Sequence, residues 1–412
     1  MKVLVVDPSL FTLPYDRAFC SALAAAGAEV TLVGRPLRAL ETIEPRGFAF
    51  LPLFYRRSEG STRNGILKGL EHAVGLLSLA RLIDRLRPDV VHVQWLALPL
   101  LDRLLLAATD TKTRLVMTAH NSGSVHMARS RLQNLGLRGA LSRFAAIVVH
   151  TEKTRAWLRG QDIPSDRILL LPHPPLDLPA PLDLPAVDHP GTVATAAPGT
   201  VTILFWGAIK PYKGLDILVR AVLDHLPLET NLRVVIAGRP FFDLAPLLAE
   251  IEASRWRDRF VFDLGFLPDA RLAARIAAAD IVVFPYREID GSGALAATAR
   301  FGKAIVAAAV GTFAEPPARD CLELVPPEDP VALAERLRAL IEEPARRSEA
   351  AARTARLAEL LPSWQRFAAA CLACYEAVSR RSPNGFGTDL GPGPTRSAPL
   401  SSRRHTRQPE RS

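Results

Sequence analysis

PYREIDGSGALAATARFGKAIV, running from Pro285 to Val306, decides how the rest of the chain is read. An apolar strand expected over Ile281–Phe284 enters a polar loop. Asp290-Gly291-Ser292-Gly293 then opens a helix of small residues, and Ala304–Ala309 reads as the next strand. A helix that starts at Ser292-Gly293 directs unpaired N–H groups and the positive end of its dipole into the crevice beyond the strand ends. Glycine has no side chain there to hold a phosphate away. The stretch therefore asks for an anionic ligand at the edge of a sheet.

Working outward, the pattern repeats in two halves. Val3–Val6, Glu29–Val33, Val90–Val93, Leu115–Thr118 and Ala146–His150 read as short buried strands. Helices are expected at about Arg17–Ala26, Gly75–Leu86, Leu101–Thr109 and Thr154–Arg159. The second half restarts with strands at Thr202–Trp206, Arg233–Ala237, Arg259–Leu264, Ile281–Phe284, Ala304–Ala308 and Leu322–Val325. Its clearest helices are Lys213–Leu226, Ala270–Ala279 and Val331–Glu342. Apolar strands alternating with helices imply parallel sheets covered on both faces, an α/β architecture of two Rossmann-like domains facing across a cleft.

The expected division is an N-terminal Rossmann-like domain over 1–171, a linker over 172–200, and a C-terminal Rossmann-like domain over 201–362. A helix over 363–379 packs back on the first domain, and a basic tail covers 380–412. The linker holds eight prolines and no usable periodicity. Ligands of open α/β sheets bind outside the carboxyl ends of the strands, so the active site is expected between the domains.

Composition narrows the partners. The chain has 412 residues, a hydrophobic content of 49% and a net charge of +9. The tail from Arg380 carries seven arginines against Asp389 and Glu410, a net of +5, and is expected to be disordered. No basic surface interleaved with aromatics supports nucleic-acid binding. Apolar runs such as Leu96–Leu101 fall far below the roughly 18 residues that span a bilayer. MKVLVVDPS goes directly into a strand, which places the expected protein in the cytoplasm. Cys371 and Cys374 form a lone CxxC inside the closing helix, where both can face a core, and Cys20 and Cys321 are isolated.

A second anion site lies in FWGAIKPYKGLDILVRA. A strand ends at Gly207, the loop carries Lys210, Tyr212 and Lys213, and a helix begins at about Gly214. Two lysines beside a helix N-terminus suit a diphosphate. His120, at a strand end, is a further candidate; His92 and His150 read as structural, and His173 opens the linker near the cleft.

GAIKPYKGLDIL, DIVVFPYREIDGSG and FGKAIV resemble the donor domain of GT-B glycosyltransferases of the family-4 and related types. DVVHVQW, TAHN, AIVVHTEKTRAWL and LLPHP agree in the first half, and the likeness covers about residues 1 to 378. It implies transfer of a sugar from a nucleotide-diphosphate donor to a glycan or polyprenyl-linked acceptor, in envelope or exopolysaccharide synthesis. It carries diphosphate binding to Lys213, with Lys210 standing in for an arginine where this chain has Ala208. Gly207, Gly238, Gly291, Ser292 and Gly293 complete the donor site, and His120 lies near the reacting sugar. His126 falls where relatives often read Pro-His.

The chain departs from the family where two glutamates usually stand, at Ile289 and Ala297. It then looks like the subset that includes glycolipid mannosyltransferases. Glu288 or Asp290 is expected to do the sugar-side work, and Thr298 is a candidate ribose partner. No Asp-x-Asp occurs, so no metal and no other cofactor is expected. The family prior favours retention over inversion; an inverting course needs a base, for which Asp16 is the nearest carboxylate. Arg56, Arg57, Arg63 and Lys68 precede an amphipathic helix and fit a peripheral contact at the inner face of the cytoplasmic membrane. Two other classes compete: an inactive GT-B binding or scaffold protein, and a nicotinamide oxidoreductase, which the absence of GxGxxG after the first strand disfavours.

Overall fold

The structure, a computed structural model, describes residues 1–39, 41–43, 47–57, 65–107, 113–122, 135–176, 178 and 199–380. Arg63, His126, most of the proline-rich linker and the basic tail beyond Arg380 lie outside the described residues.

The first sheet holds seven parallel strands in the order β3-β2-β1-β4-β5-β6-β7. These are β1 (Lys2–Val6), β2 (Glu29–Gly34), β3 (Ala49–Pro52), β4 (Val90–Val93), β5 (Arg114–Ala119), β6 (Ala146–Val149) and β7 (Ile168–Leu170). Helices α1 (Leu13–Ala25), α2 (Gly65–Leu86), α3 (Pro99–Ala107), α4 (Leu137–Leu141) and α5 (Glu152–Gly160) connect them. The central strands β4 and β6 are buried along their whole length, as β-branched runs covered on both faces must be.

The second sheet has six parallel strands in the order β10-β9-β8-β11-β12-β13. They are β8 (Val201–Trp206), β9 (Leu232–Gly238), β10 (Phe260–Leu264), β11 (Ile281–Phe284), β12 (Ala304–Ala308) and β13 (Glu323–Val325). Around them lie α6 (Leu215–His225), α7 (Ala245–Ala253), α8 (Asp269–Ala277), α9 (Gly293–Ala299), α10 (Pro330–Glu342) and α11 (Pro344–Leu360). In each sheet the strand order reverses once, between β1 and β4 and between β8 and β11. A crevice opens at each reversal, because successive crossovers leave in opposite directions. Pairing of β8 with β11, with Ile281 opposite Ile203, is what makes the two glycine-rich loops neighbours.

The last helix, α12 (Trp364–Arg380), packs on α1 of the first domain. Trp364, Phe367 and Tyr375 share one apolar cluster with Tyr15, Phe19 and Leu23, and Cys371 and Cys374 are buried in the same face. Tyr375 Oη and Thr118 Oγ1 take the two ring nitrogens of His92, which is therefore a structural histidine. Among the described residues no helix is long and apolar enough to cross a membrane.

Several boundaries differ from the sequence reading. Helix α1 starts at Leu13 rather than Arg17, because Pro14 suits a first helical turn. Helix α2 starts at Gly65 rather than Gly75. Helix α5 begins at Glu152, where the Thr151 hydroxyl caps the Thr154 N–H at 3.1 Å. Strands β3 and β7 and helices α7 and α11 were not anticipated: the strands are very short, and α11 is rich in alanine and charge with few buried side chains.

Candidate active site

The lysine loop is shaped by three glycines that other residues cannot replace. Gly207 ends β8 at φ +107°, and a Cβ there would lie 2.9 Å from Lys213 Nζ. Pro211–Lys213 forms one 3₁₀ turn, and Gly214 follows at φ +68°, where a Cβ would come 2.0 Å from the Pro285 carbonyl oxygen. Gly238, at φ +137°, lies so close to β8 that a Cβ would stand 1.9 Å from the Gly207 oxygen. Expected as a ligand-binding residue, Gly238 is thus explained by backbone packing that sets the position of Gly207.

Arg287 fastens this loop to the one after β11. Its guanidinium donates to both oxygens of Asp216, at 2.9 and 2.6 Å, and to the Pro211 carbonyl at 2.9 Å. Its backbone N–H donates to the Tyr212 carbonyl at 2.8 Å. A planar fork with a bidentate partner fixes geometry as well as charge.

The fastened loop carries two cations without a carboxylate. Lys213 is buried with its ammonium 5.1 Å from the centre of the Tyr286 ring, and it makes no ion pair with a described residue. Burial, with Lys210 adding to it, pushes its pKa down to about 7. The Lys210 ammonium lies 5.3 Å from the ring of Phe11 in the first domain and 5.4 Å from that of Phe241 in the second. Burial lowers its pKa as well. Aromatic faces attract a cation weakly and leave its charge uncompensated, so the pair remains complementary to an anion.

The turn after β11 faces the first domain. Ser292 caps α9, its hydroxyl accepting the Leu295 N–H at 3.1 Å. The helix is only seven residues long, shorter than a large dipole requires. Its contribution lies in local N–H groups: those of Gly291, Ser292 and Gly293 have no acceptor among the described residues. A Cβ on Gly291 would meet the His120 carbonyl, His150 and Thr151 at 3.9 Å, and one on Gly293 would meet His173 Nε2 at 3.6 Å.

Opposite the turn, each strand of the first sheet from β4 to β7 contributes a side chain from its C-terminal end. His120 stacks on Trp95 with ring centres 4.8 Å apart, and its Nε2 pairs with Gln94 Oε1 at 2.9 Å. His150 Nδ1 donates to the Leu171 carbonyl at 2.9 Å, which leaves Nε2 as an acceptor. Burial and the neighbouring His173 push the His150 pKa down to about 3, and burial takes His173 to about 4. Tyr15 sits among His120, His150 and His173, with ring centres 4.9, 5.5 and 5.1 Å away. Sequence reasoning missed Tyr15, Gln94, Trp95 and the place of His150. Their shared signal was position directly after a strand, or in the first turn of the helix that follows.

Other expectations are corrected by geometry. Thr298 is no ribose partner: it is buried, accepts the Trp206 indole N–H at 3.1 Å and donates to the Ala294 carbonyl at 2.8 Å. Ala297 and Ile289 are buried in the same apolar cluster as Trp206. Asp16 is fully buried, and burial together with the Asp7 carboxylate raises its pKa well above the usual carboxylate range. Being fully buried, its carboxyl is out of reach of an acceptor hydroxyl in the cleft. Glu288 is exposed and lines a cavity of about 600 Å³ with Tyr212, Asp216 and Phe242, on the lysine-loop side of its strand end. Asp290 is buried with its carboxylate on Lys153 Nζ at 2.6 Å and on the Ser122 N–H.

Known proteins share the two-domain fold. Residues 14–174 match the family model described as glycosyl transferase 4-like domain, and residues 200–343 match glycosyl transferases group 1. A D-inositol 3-phosphate glycosyltransferase of Xylanimonas cellulosilytica is 32% identical over 319 residues, covering 72% of this chain and 73% of that one. A lipopolysaccharide core biosynthesis mannosyltransferase of Rhizobium leguminosarum bv. viciae is 31% identical over 206 residues, 46% of this chain and 55% of that one. Among solved structures, a sucrose-phosphate synthase from Thermosynechococcus elongatus superposes with a TM-score of 0.72 at 18% identity, over 92% of this chain and 99% of that chain. An Anabaena protein, HepE, solved in complex with UDP-glucose, gives 0.66 at 15% identity over 91% of this chain and 100% of that chain.

Proposed function

The chain belongs to the GT-B glycosyltransferases, and from that premise we propose that it moves a hexosyl group from a nucleotide-diphosphate sugar to a glycan or lipid-linked acceptor in envelope or exopolysaccharide synthesis. The observation that carries the donor class is the buried Lys213 with the half-buried Lys210, neither paired with a described carboxylate, on the loop after the strand that neighbours the one leading to the free N–H groups at Gly291–Gly293. In transfer, the bond between the anomeric carbon and the distal phosphate oxygen breaks, and its electron pair stays on the phosphate. The acceptor hydroxyl oxygen bonds to the anomeric carbon and releases its proton. Lys213 and Lys210 stabilise the charge that grows on the leaving diphosphate, which is where a transferase lowers its barrier.

Retention is favoured over inversion. Asp16 is fully buried, away from an acceptor hydroxyl, whereas on the retaining course the departing phosphate oxygen takes the proton on the same face of the sugar. His120, whose backbone carbonyl meets the Gly291 turn and whose ring is held by Gln94 and Trp95, is the residue we read as lying beside the sugar. No cofactor is assigned to the reaction. A panel of UDP- and GDP-sugars tests the reading. We expect at least one to bind and to be hydrolysed slowly or transferred, with EDTA leaving turnover within twofold. Donor binding with no hydrolysis or transfer supports the inactive scaffold instead, and rescue by manganese after EDTA contradicts the metal-free course.

A lipid-linked acceptor asks for a membrane surface, and α2 offers one. Leu70, Val74 and Leu77 are 62, 62 and 54% exposed and form one stripe at helical spacing. Arg81 and Arg85 continue the stripe at helical spacing with Asp84 beside them, Arg57 meets Glu71 at the start of the helix, and Lys68 lies on the opposite side. Such a face suits peripheral contact with anionic lipid. The full chain is expected to sediment with phosphatidylglycerol vesicles and far less with phosphatidylcholine. Serine at Leu70 and Leu77 should release it, and unchanged sedimentation of that variant rules the face out.

A further inference from the structure

Asp290 stands directly before the Gly291 turn, and the partners of its carboxylate both come from the first domain. Lys153 Nζ lies 2.6 Å from Oδ1, and the Ser122 backbone N–H donates to Oδ2. Ser122 follows His120 by two residues, and Lys153 belongs to the first turn of α5, next to Thr151 and His150. Two further ties cross between the domains. Glu315 accepts the Glu152 and Lys153 N–H groups at 3.3 and 3.4 Å, and Arg17 pairs with Asp269 at 2.8 Å. Of these contacts, Lys153 on Asp290 lies nearest the reacting groups and has its carboxylate the most deeply buried.

We infer that Lys153 and Asp290 form a charge-compensated latch: it holds the Gly291–Gly293 turn against the His120 loop, and Lys153 cancels the carboxylate charge that would otherwise oppose an anion at that turn. The inference rests on the proposed diphosphate site. A carboxylate one residue from free N–H groups repels a phosphate bound there, and a partly buried site screens that repulsion poorly. Lys153 and Asp290 are therefore positioning residues. Their removal has opposite consequences for donor binding: loss of Lys153 bares a negative charge, and loss of the Asp290 charge removes one.

This asymmetry separates the latch from an ordinary structural ion pair, whose two truncations damage the protein alike. The experiment uses the full chain and three variants, Lys153→Met, Asp290→Asn and the double substitution. Binding of UDP and GDP is measured by calorimetry, turnover with the donor sugar found in the panel, and domain closure by small-angle X-ray scattering. Lys153→Met should weaken nucleotide binding about tenfold. Asp290→Asn should bind as tightly as the wild type or more tightly, yet turn over about tenfold more slowly. The double variant should recover nucleotide affinity to within about twofold while its turnover stays low. Each single variant should also show a larger radius of gyration than the wild type. Equal weakening of binding by both single substitutions overturns the charge role, and unchanged scattering with unchanged turnover overturns the clamp. A wild-type protein that binds neither nucleotide overturns the donor reading and the charge role with it, and the scattering then decides the clamp alone.

Discussion

Replacing Lys213 by methionine cuts sugar transfer about a thousandfold and at the same time makes the unliganded protein more stable. Both effects follow from one ammonium placed where the fold does not want it. It is buried, next to Lys210, and without a carboxylate, so its pKa falls from 10.5 to about 7. In the unfolded chain the same group titrates normally. Between pH 7 and 10.5 the unfolded state therefore holds the extra proton, and stability rises with pH through that window. Below pH 7 both states are protonated and the full cost of the buried charge is present. Methionine keeps the volume and removes the charge. The variant should gain a few kcal/mol at pH 6, at about 1.4 kcal/mol per pKa unit, and lose that advantage as the pH approaches 10. Its kcat/KM should fall about a thousandfold, as for removal of a group that meets charge formed in the transition state. Thermal melts at pH 6 and 9 beside steady-state kinetics check both halves. A methionine variant less stable than the wild type at pH 6 contradicts this picture.

Gly214→Ala is the second substitution with a large expected effect, and it acts through the backbone alone. The residue is left-handed, at φ +68°, and the new methyl would stand 2.0 Å from the Pro285 carbonyl and 2.9 Å from Ile217 Cδ1. Ile217 can turn away, but a main-chain carbonyl cannot. The lysine loop must then lift from the β11 loop, breaking the register that Arg287 holds. Loss of about 2–4 kcal/mol of stability is expected, with nucleotide affinity reduced at least about a hundredfold. Gly160→Ala, at the end of α5 with open space around it, is the control and should be neutral. Denaturant melts and nucleotide titration measure the two. Wild-type affinity in Gly214→Ala would show that the loop contact does not position Lys213.

The second-domain side of this candidate site was largely legible in the sequence as local structure. Gly207, Lys213 and the Gly291–Gly293 turn follow strands whose apolar runs are unambiguous, and the topology brings adjacent strand ends together. Lys213 was readable as an anion ligand, but its missing counter-ion was not, because that depends on which side chains surround it. The first-domain side was less legible. Tyr15, Gln94 and His150 come together only through the strand order, and nothing local in VHVQW or VVHTE marks the residue that faces the cleft. Thr298 shows the opposite failure. Its spacing suits a ligand, yet the same helix face packs on Trp206, and one turn of a short helix does not reveal which neighbour wins. Asp290 was noticed for its charge, while its partners Lys153 and Ser122 lie far away in the chain.

The central claim is that a nucleotide diphosphate supplies the charge that Lys213 lacks. Calorimetric titration of the full chain with UDP and GDP at pH 8, in two buffers of different ionisation enthalpy, tests it most directly. Lys213 is mostly neutral at that pH when unliganded and regains its proton beside the diphosphate. The account predicts binding with uptake of about one proton per site, an uptake that disappears in Lys213→Met. Binding without proton uptake, or uptake unchanged in the methionine variant, would contradict it.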